Sequence, residues 1–196
     1  MKQLFLVLLS TVVLFSFTNT EKKKWQLDGG HSSLRFSVSH QGVANFNGSF
    51  GKFSVQMTTE GDDFSTMQVE MSAEIASINT NNSMRDKHLC EEDFFNAEKF
   101  PKMTFKSKSV KKKGKNKYIV SGDFTMHGVT KTVELTAVHN GTVILEDEGQ
   151  KIPLAGFKVT GTVKRSDFGI SPEYKDIADE VNLEADIEIY NAPEEK

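Results

Sequence analysis

Cysteine is nearly absent from this chain: of 196 residues, only Cys90 is one. No intrachain disulfide can form, so the fold has to rest on what it buries. Proline is scarce, with four residues, and there is a single tryptophan. The five histidines show no H-x-H or H-x-x-x-H spacing. The chain therefore lacks a local ligand set for zinc, and no metal or cofactor is expected. Positive charge is not in excess. Twenty-four Lys and Arg against 27 Asp and Glu leave a net charge of −3, which argues against nucleic acid as a partner. No G-x-S-x-G elbow is present, and no Ser, His and Asp spacing marks a nucleophile. Long apolar runs are missing as well, with one exception at the start.

That exception is Leu4 to Phe17, interrupted only by Ser10, Thr11 and Ser16. Lys2 precedes it, and Thr18, Asn19 and Thr20 follow. A basic start, an apolar middle and a small-residue exit form the pattern of a secretory signal, and the run is short for a bilayer span. Residues 1–20 are read as a signal peptide and residues 21–196 as one domain, located in the periplasm or secreted after cleavage. Retention of the segment as an anchor is the alternative. In an exported chain Cys90 is read as a tolerated small residue, because Glu91, Glu92 and Asp93 oppose any lowering of its pKa by Lys87 and His88.

What the mature sequence does have is alternation with a period of two. Leu34, Phe36 and Val38 share a face against Arg35, Ser37 and Ser39. Met67 to Ile75, Tyr118 to Met126, Val133 to Ala137, Phe157 to Val163 and Val181 to Ile189 repeat the pattern. Each segment thus has one wet and one dry face, which excludes a parallel α/β sheet. About eight such segments predict an antiparallel, all-β domain that buries its dry face by closing into a barrel or packing as two sheets. Asn140-Gly141 reads as a hairpin turn, and the change of parity at Gly51-Lys52 as a bulge or a sharp bend. Short helices are expected over Arg85–Glu92 and Pro172–Ala178. Gly122, Gly161, Ala73, Ala137 and Ala185 lie on the dry face, where they either relieve packing or leave a lined cavity.

One stretch departs from alternation: Thr80 to Phe105, where Arg85, Asp86 and His88 stand beside Phe94, Phe95 and Phe100. A cationic, hydrogen-bonding group next to aromatics suits a ligand with one polar and one oily end. It equally suits a packed crossover, with Arg85 and Asp86 paired or capping a helix. His40 shares parity with Phe36 and faces inward, as core or as ligand contact. His127 is read as structural, His31-Ser32 as organising the first turn, and His139 as surface. The run Lys111 to Lys117 reads as a solvated hairpin tip or as a contact to an anionic membrane surface.

The chain resembles the YceI-like polyisoprenoid-binding family. The resemblance rests on Trp25, Asp28, His31-Ser32 and Phe36; on Gly48, Phe50 and Phe53; on Asn79-Thr80, Arg85-Asp86, His88-Leu89, Asp93-Phe94-Phe95 and Phe100-Pro101; on His127 to Lys131; and on Arg165 to Ile170, an R-x-D-F-G pattern. It implies a single extended, eight-stranded lipocalin-like β-barrel with one or two short helices in a crossover. It also implies a non-catalytic protein that binds an isoprenoid or other long-chain amphiphilic lipid, and a homodimer. The candidate ligand-binding residues are Phe36, His40, Phe50, Phe53, Arg85, His88, Phe94, Phe95, Phe100, Phe105 and Phe124. The alternative is a small-barrel enzyme of isomerase or dehydratase type using Asp86 and His88.

Overall fold

The structure, a computed structural model, describes residues 21–147, 149–171 and 173–191; the apolar run Leu4–Phe17 lies outside them. The described strands are β1 (Lys22–Leu27), β2 (Ser33–His40), β3 (Ala44–Phe50), β4 (Phe53–Glu60), β5 (Asp63–Glu74), β6 (Ile78–Asn79), β7 (Lys102–Lys112), β8 (Lys117–Met126), β9 (Val129–Asp147), β10 (Gln150–Lys164) and β11 (Ile177–Tyr190). One α-helix, α1 (Ser83–Leu89), interrupts them.

The order β1-β4-β5-β7-β8-β9-β10-β11 returns to β1, so eight antiparallel strands close a lipocalin-like barrel. Closure removes the open edges that a sheet of this size would otherwise expose. The alternation read from sequence is the burial pattern observed: along β8 every second side chain is buried, from Tyr118 to Met126. β1 and β2 lie end to end along β11, β1 meeting Ile189 and Tyr190, β2 meeting Ile177 to Asp186. The break between them is a turn in which Asp28 accepts from the Gly30 amide and engages His31, while Ser32 exchanges hydrogen bonds with the backbone of Glu188. β3 and β6 extend this side as a flap. The chain bends at Gly51-Lys52, as the parity change required, and both amides are held by Ser77.

Two expectations about turns and helices fail. Asn140-Gly141 is no turn; it sits within β9, where the register to β10 shifts at Gly156/Phe157 and forms a bulge. The hairpin turn lies beyond Asp147. The helical turn expected over Pro172–Ala178 is replaced by turns at 173–176, with β11 starting at Ile177, and a 3-10 turn forms earlier, at Arg165–Phe168. Pro172 itself lies outside the described residues.

One end of the barrel is floored by aromatics. Trp25, Phe64 and Phe157 are buried, with ring centroids 5.2 Å apart for Trp25–Phe64 and 5.0 Å for Phe64–Phe157. Trp25 donates its indole N–H to Thr59, 2.9 Å away. His139, expected at the surface, is half-buried against Phe64 and Phe157, and burial pushes its pKa down. The opposite end is bordered by α1 and residues 173–177.

Small residues on the dry face play both expected parts. Gly122 lies under the Phe105 ring: a Cβ there would stand 2.6 Å from Phe105 and 2.5 Å from the Lys106 carbonyl oxygen. Ala137 and Ala185 instead line empty space inside the barrel.

Candidate functional site: an apolar channel with a polar mouth

The α1 end opens into a cavity of about 330 Å³. Its wall is built by Phe36, Phe50, Met103, Phe124, Met126, Val163, Val181 and Leu183. Its rim carries His40, Thr80, Arg85, His88, Arg165, Tyr174 and Asp176. Below it a neck of about 60 Å³ shares Phe50, Met103, Phe124 and Leu183 with the mouth. A deeper compartment of about 110 Å³ shares Leu34, Met71, Phe105, Leu135, Val159 and Ala185 with the neck, and every residue lining it is apolar. These three spaces, divided by the side chains they share, line up as a channel from a polar mouth towards the aromatic floor.

The rim is built from α1 and the segments beside it. Asn82 caps the helix, accepting from the Arg85 amide at 3.1 Å. The Asp86 carboxylate accepts from the amide and hydroxyl of buried Thr80, at 2.8 and 2.6 Å. Arg85 donates from Nε to the Thr80 hydroxyl and from Nη2 to its carbonyl, both at 2.8 Å. Its guanidinium carbon lies 4.4 Å above the Phe46 ring, a cation–π arrangement. Arg85 and Asp86 are thus joined through Thr80 rather than to each other, and Arg85 is fixed at the cavity edge with its charge over an aromatic face. His40 packs on the other part of that rim, 4.9 Å from Phe46.

His88 does not meet Asp86. Its Nε2 lies 2.8 Å from Asp93, which also accepts from the Tyr174 hydroxyl at 3.1 Å. Ser171 donates to the Asp93 carbonyl. Burial pushes the Asp93 carboxyl up, but the hydrogen bonds from His88 and Tyr174 outweigh it and hold the group below the usual carboxylate range. The Tyr174 hydroxyl is pushed up by its bond to Asp93. This trio latches the crossover to the 171–177 segment. The Asp86–His88 contact that would favour the enzyme alternative is not formed: Asp86 bonds to Thr80 and His88 to Asp93.

Of the candidate residues, Phe36, His40, Phe50, Arg85, His88, Phe94, Phe95 and Phe124 meet around the mouth cavity. Phe105 lines the neck and the deep compartment, and Phe53 the deep compartment only. Phe100 is elsewhere: its ring packs on the β8–β9 turn, 4.8 Å from His127 and against Gly128. His127 and Gly128 both have positive φ, 53° and 75°, as a two-residue hairpin turn demands. Adjacency in sequence to Phe94 and Phe95 had placed Phe100 with them, but Pro101 and the start of β7 carry it away.

Sequence reasoning gave no role to Arg165. Only 8% exposed, it donates to the carbonyls of Ile170, Ser171, Tyr174, Ile177 and Ala178. One planar fork thereby organises the whole loop that borders the mouth. The R-x-D-F-G block was its signal, but a block match does not say which carbonyls a side chain reaches. Asp179 secures the other side by accepting from the Ser166 amide and hydroxyl, which keeps its pKa low. Cys90 is partly buried, and burial followed by the nearby Asp86 charge pushes its thiol pKa up, so it is a poor nucleophile. Among the described residues, His88, Glu91 and Asp93, and separately Asp28, His31 and Glu188, bring ligand atoms within 4.8 Å of one another. In each group the histidine is already engaged by a carboxylate.

A closed antiparallel barrel with an apolar channel and a polar rim defines a lipocalin-like binding fold. The YceI-like domain model matches residues 25–189, and the chain belongs to that family. It is 33% identical to a UPF0312 protein of Photorhabdus laumondii over 96% of this chain and 97% of that one. It is 38% identical to a UPF0312 protein of Staphylococcus aureus over 74% and 80%. Among solved structures, Burkholderia cenocepacia BcnA superposes with a TM-score of 0.70 at 25% identity, over 83% of this chain and 98% of that one. The Campylobacter jejuni YCEI protein gives 0.68 at 29%, over 77% and 88%. A polyisoprenoid-binding domain from Saccharophagus degradans shares the fold, with a TM-score of 0.60 at 15% identity over 86% and 98%. Family membership supports a role as a binding protein.

Proposed function

We propose that this protein is an exported, non-catalytic carrier or reservoir that holds an isoprenoid or similar long-chain amphiphilic lipid, tail in the channel and polar end at the rim. The observation that carries this reading is the gradient along the channel: titratable side chains at one end and an all-apolar compartment at the other. Each five-carbon unit moved from water into such a channel contributes roughly 3–4 kcal/mol gross, at about 0.8 kcal/mol per CH₂, and ordering the tail offsets part of this. No specific chemistry is needed along the barrel. At the rim, Arg85 and His88 offer donors to an anionic or carbonyl-bearing head group. The polyisoprenoid-binding function stated for the Saccharophagus domain agrees with this ligand class, and the run Leu4–Phe17 supports export to the periplasm or beyond.

Native mass spectrometry of protein purified without detergent tests the proposal. A co-purified apolar mass, released by organic extraction, is the expected outcome. Phe124→Arg, which places a charge in the neck, should abolish uptake while circular dichroism shows an intact barrel. An apo mass that takes up no added polyprenyl lipid would refute the reading. N-terminal sequencing of the mature protein checks export.

A further inference from the structure

The two most exposed large apolar side chains among the described residues, Val43 at 86% and Met84 at 81%, stand on the lip of the channel mouth. Val43 closes the β2–β3 turn: its amide donates to the carbonyl of His40, a residue of the mouth. Gln41 and Gly42 have positive φ, 53° and 67°, and the Gln41 amide donates to the Asp176 carbonyl at 2.7 Å. The turn is therefore tight and tied to the segment that borders the mouth. Met84 lies in the first turn of α1, beside Arg85, whose guanidinium rests on Phe46 of β3. A capped helix and an anchored turn thus hold both side chains out in water. One exposed apolar side chain on a surface needs no explanation. Two held rigidly at the entrance of an apolar channel call for something that covers them.

The shape of the channel says what that is. Buried Trp25, Phe64 and Phe157 floor the far end, so the mouth is where a tail enters. A long-chain lipid resides in a bilayer and crosses water poorly, because its whole tail is hydrated on the way. A mouth set against the bilayer removes that step. Charge selects the kind of bilayer. Around the mouth, exposed Glu91, Glu92, Glu173 and Asp176 outnumber Lys87 and Lys175. That disfavours an anionic surface and suits a zwitterionic one. The lysine turn between β7 and β8 would suit an anionic surface, but it lies at the floor end. There the Asn116 carbonyl accepts from the His139 amide, and His139 packs on Phe64 and Phe157. Docking by that turn would point the mouth away from the lipid. We infer that Val43 and Met84 form a docking lip that inserts shallowly into a zwitterionic bilayer and holds the channel mouth against it, so that a tail passes from bilayer to channel without crossing water. The inference rests on the lipid-binding reading and adds where the lipid comes from and which end of the barrel meets it.

Single cysteines carrying an environment-sensitive dye, in a Cys90→Ser background, locate the contact. With vesicles of phosphatidylcholine and phosphatidylethanolamine, the dye on Val43→Cys and on Met84→Cys should brighten and shift to the blue. The dye on Lys115→Cys and on Ile144→Cys, at the floor end, should not. The response should survive raised salt, which a contact made through lysines would not. In unlabelled protein, Val43→Asp with Met84→Asp should leave Tm unchanged and slow uptake of a fluorescent polyprenol from the same vesicles by roughly tenfold or more. Binding of geraniol, a short isoprenoid supplied from water, should stay within about twofold, because neither residue lines the channel. A dye response at the floor end and not at the lip overturns the inference. So does a lip that gives no response, or vesicle uptake indifferent to the two Asp substitutions. A lip that responds in a protein taking up neither polyprenol nor geraniol would uphold the docking surface and refute the lipid-binding reading instead.

Discussion

Arg165 shows how much one side chain can organise here. A buried guanidinium satisfied only by backbone carbonyls has to be surrounded by chain that bends towards it, and the bend it stabilises is the loop beside the mouth. Arg165→Ala removes all of these charge-assisted bonds and leaves the carbonyls without their donor. A loss of about 3 kcal/mol is expected, roughly 6–12 °C in Tm for a domain of this size. Arg165→Lys, which keeps charge but not the fork, should fall between the two. Thermal melts read both, and hydrogen exchange should show the loss concentrated in residues 170–178. Arg85 differs: it is half-exposed and stacked on Phe46, so its substitution should cost little stability. The Arg165 acceptors belong to residues five to thirteen positions further on. Nothing local in the sequence points from one to the other.

At the scale of elements, the crossover from Thr80 to Phe105 resolves into parts. Thr80 to Leu89 forms the rim, Asp93 latches it, Phe94 and Phe95 face the cavity, and Phe100 braces the β8–β9 turn. The latch has a pH dependence of definite sign. The Asp93 carboxyl is held below its usual range, so its contribution to stability is present above the unfolded value of about 3.9 and is lost as pH falls through the lower folded value. Asp93→Asn should therefore flatten part of the decline in Tm between about pH 4 and pH 2, compared with the parent protein under the same conditions. An unchanged slope would show that the latch adds nothing. The places of the strands were legible because alternation is a property of neighbouring residues, but β9 and β10 run well past the segments it marked. Asn140-Gly141 misled because its turn-forming composition also suits a bulge, and only the pairing with Gly156 and Phe157 distinguishes the two.

Over the whole molecule, the polar mouth and the Trp25–Phe64–Phe157 floor lie at opposite ends of one barrel. The deep compartment sets how long a tail fits. Ala185→Leu fills space shared by the neck and that compartment. It should reduce affinity for long polyprenyl chains by tenfold or more while leaving short chains nearly unaffected, measured by competition against a fluorescent lipid. Equal loss for both lengths would show that the tail does not reach past the neck.

The class of fold was written in the sequence. A period-two pattern repeated along the chain leaves one dry face per strand, which a barrel or two packed sheets would bury; the pairing of β1 with β11 decides for the barrel. The scarcity of cysteine left that burial as the source of stability. The R-D-x-H-L block marked the crossover that carries the rim, while the R-x-D-F-G block marked only the family. Which aromatics line the channel, which floor it and which brace a turn was decided only by tertiary structure, because that depends on register across strands distant in sequence and on where the crossover lies.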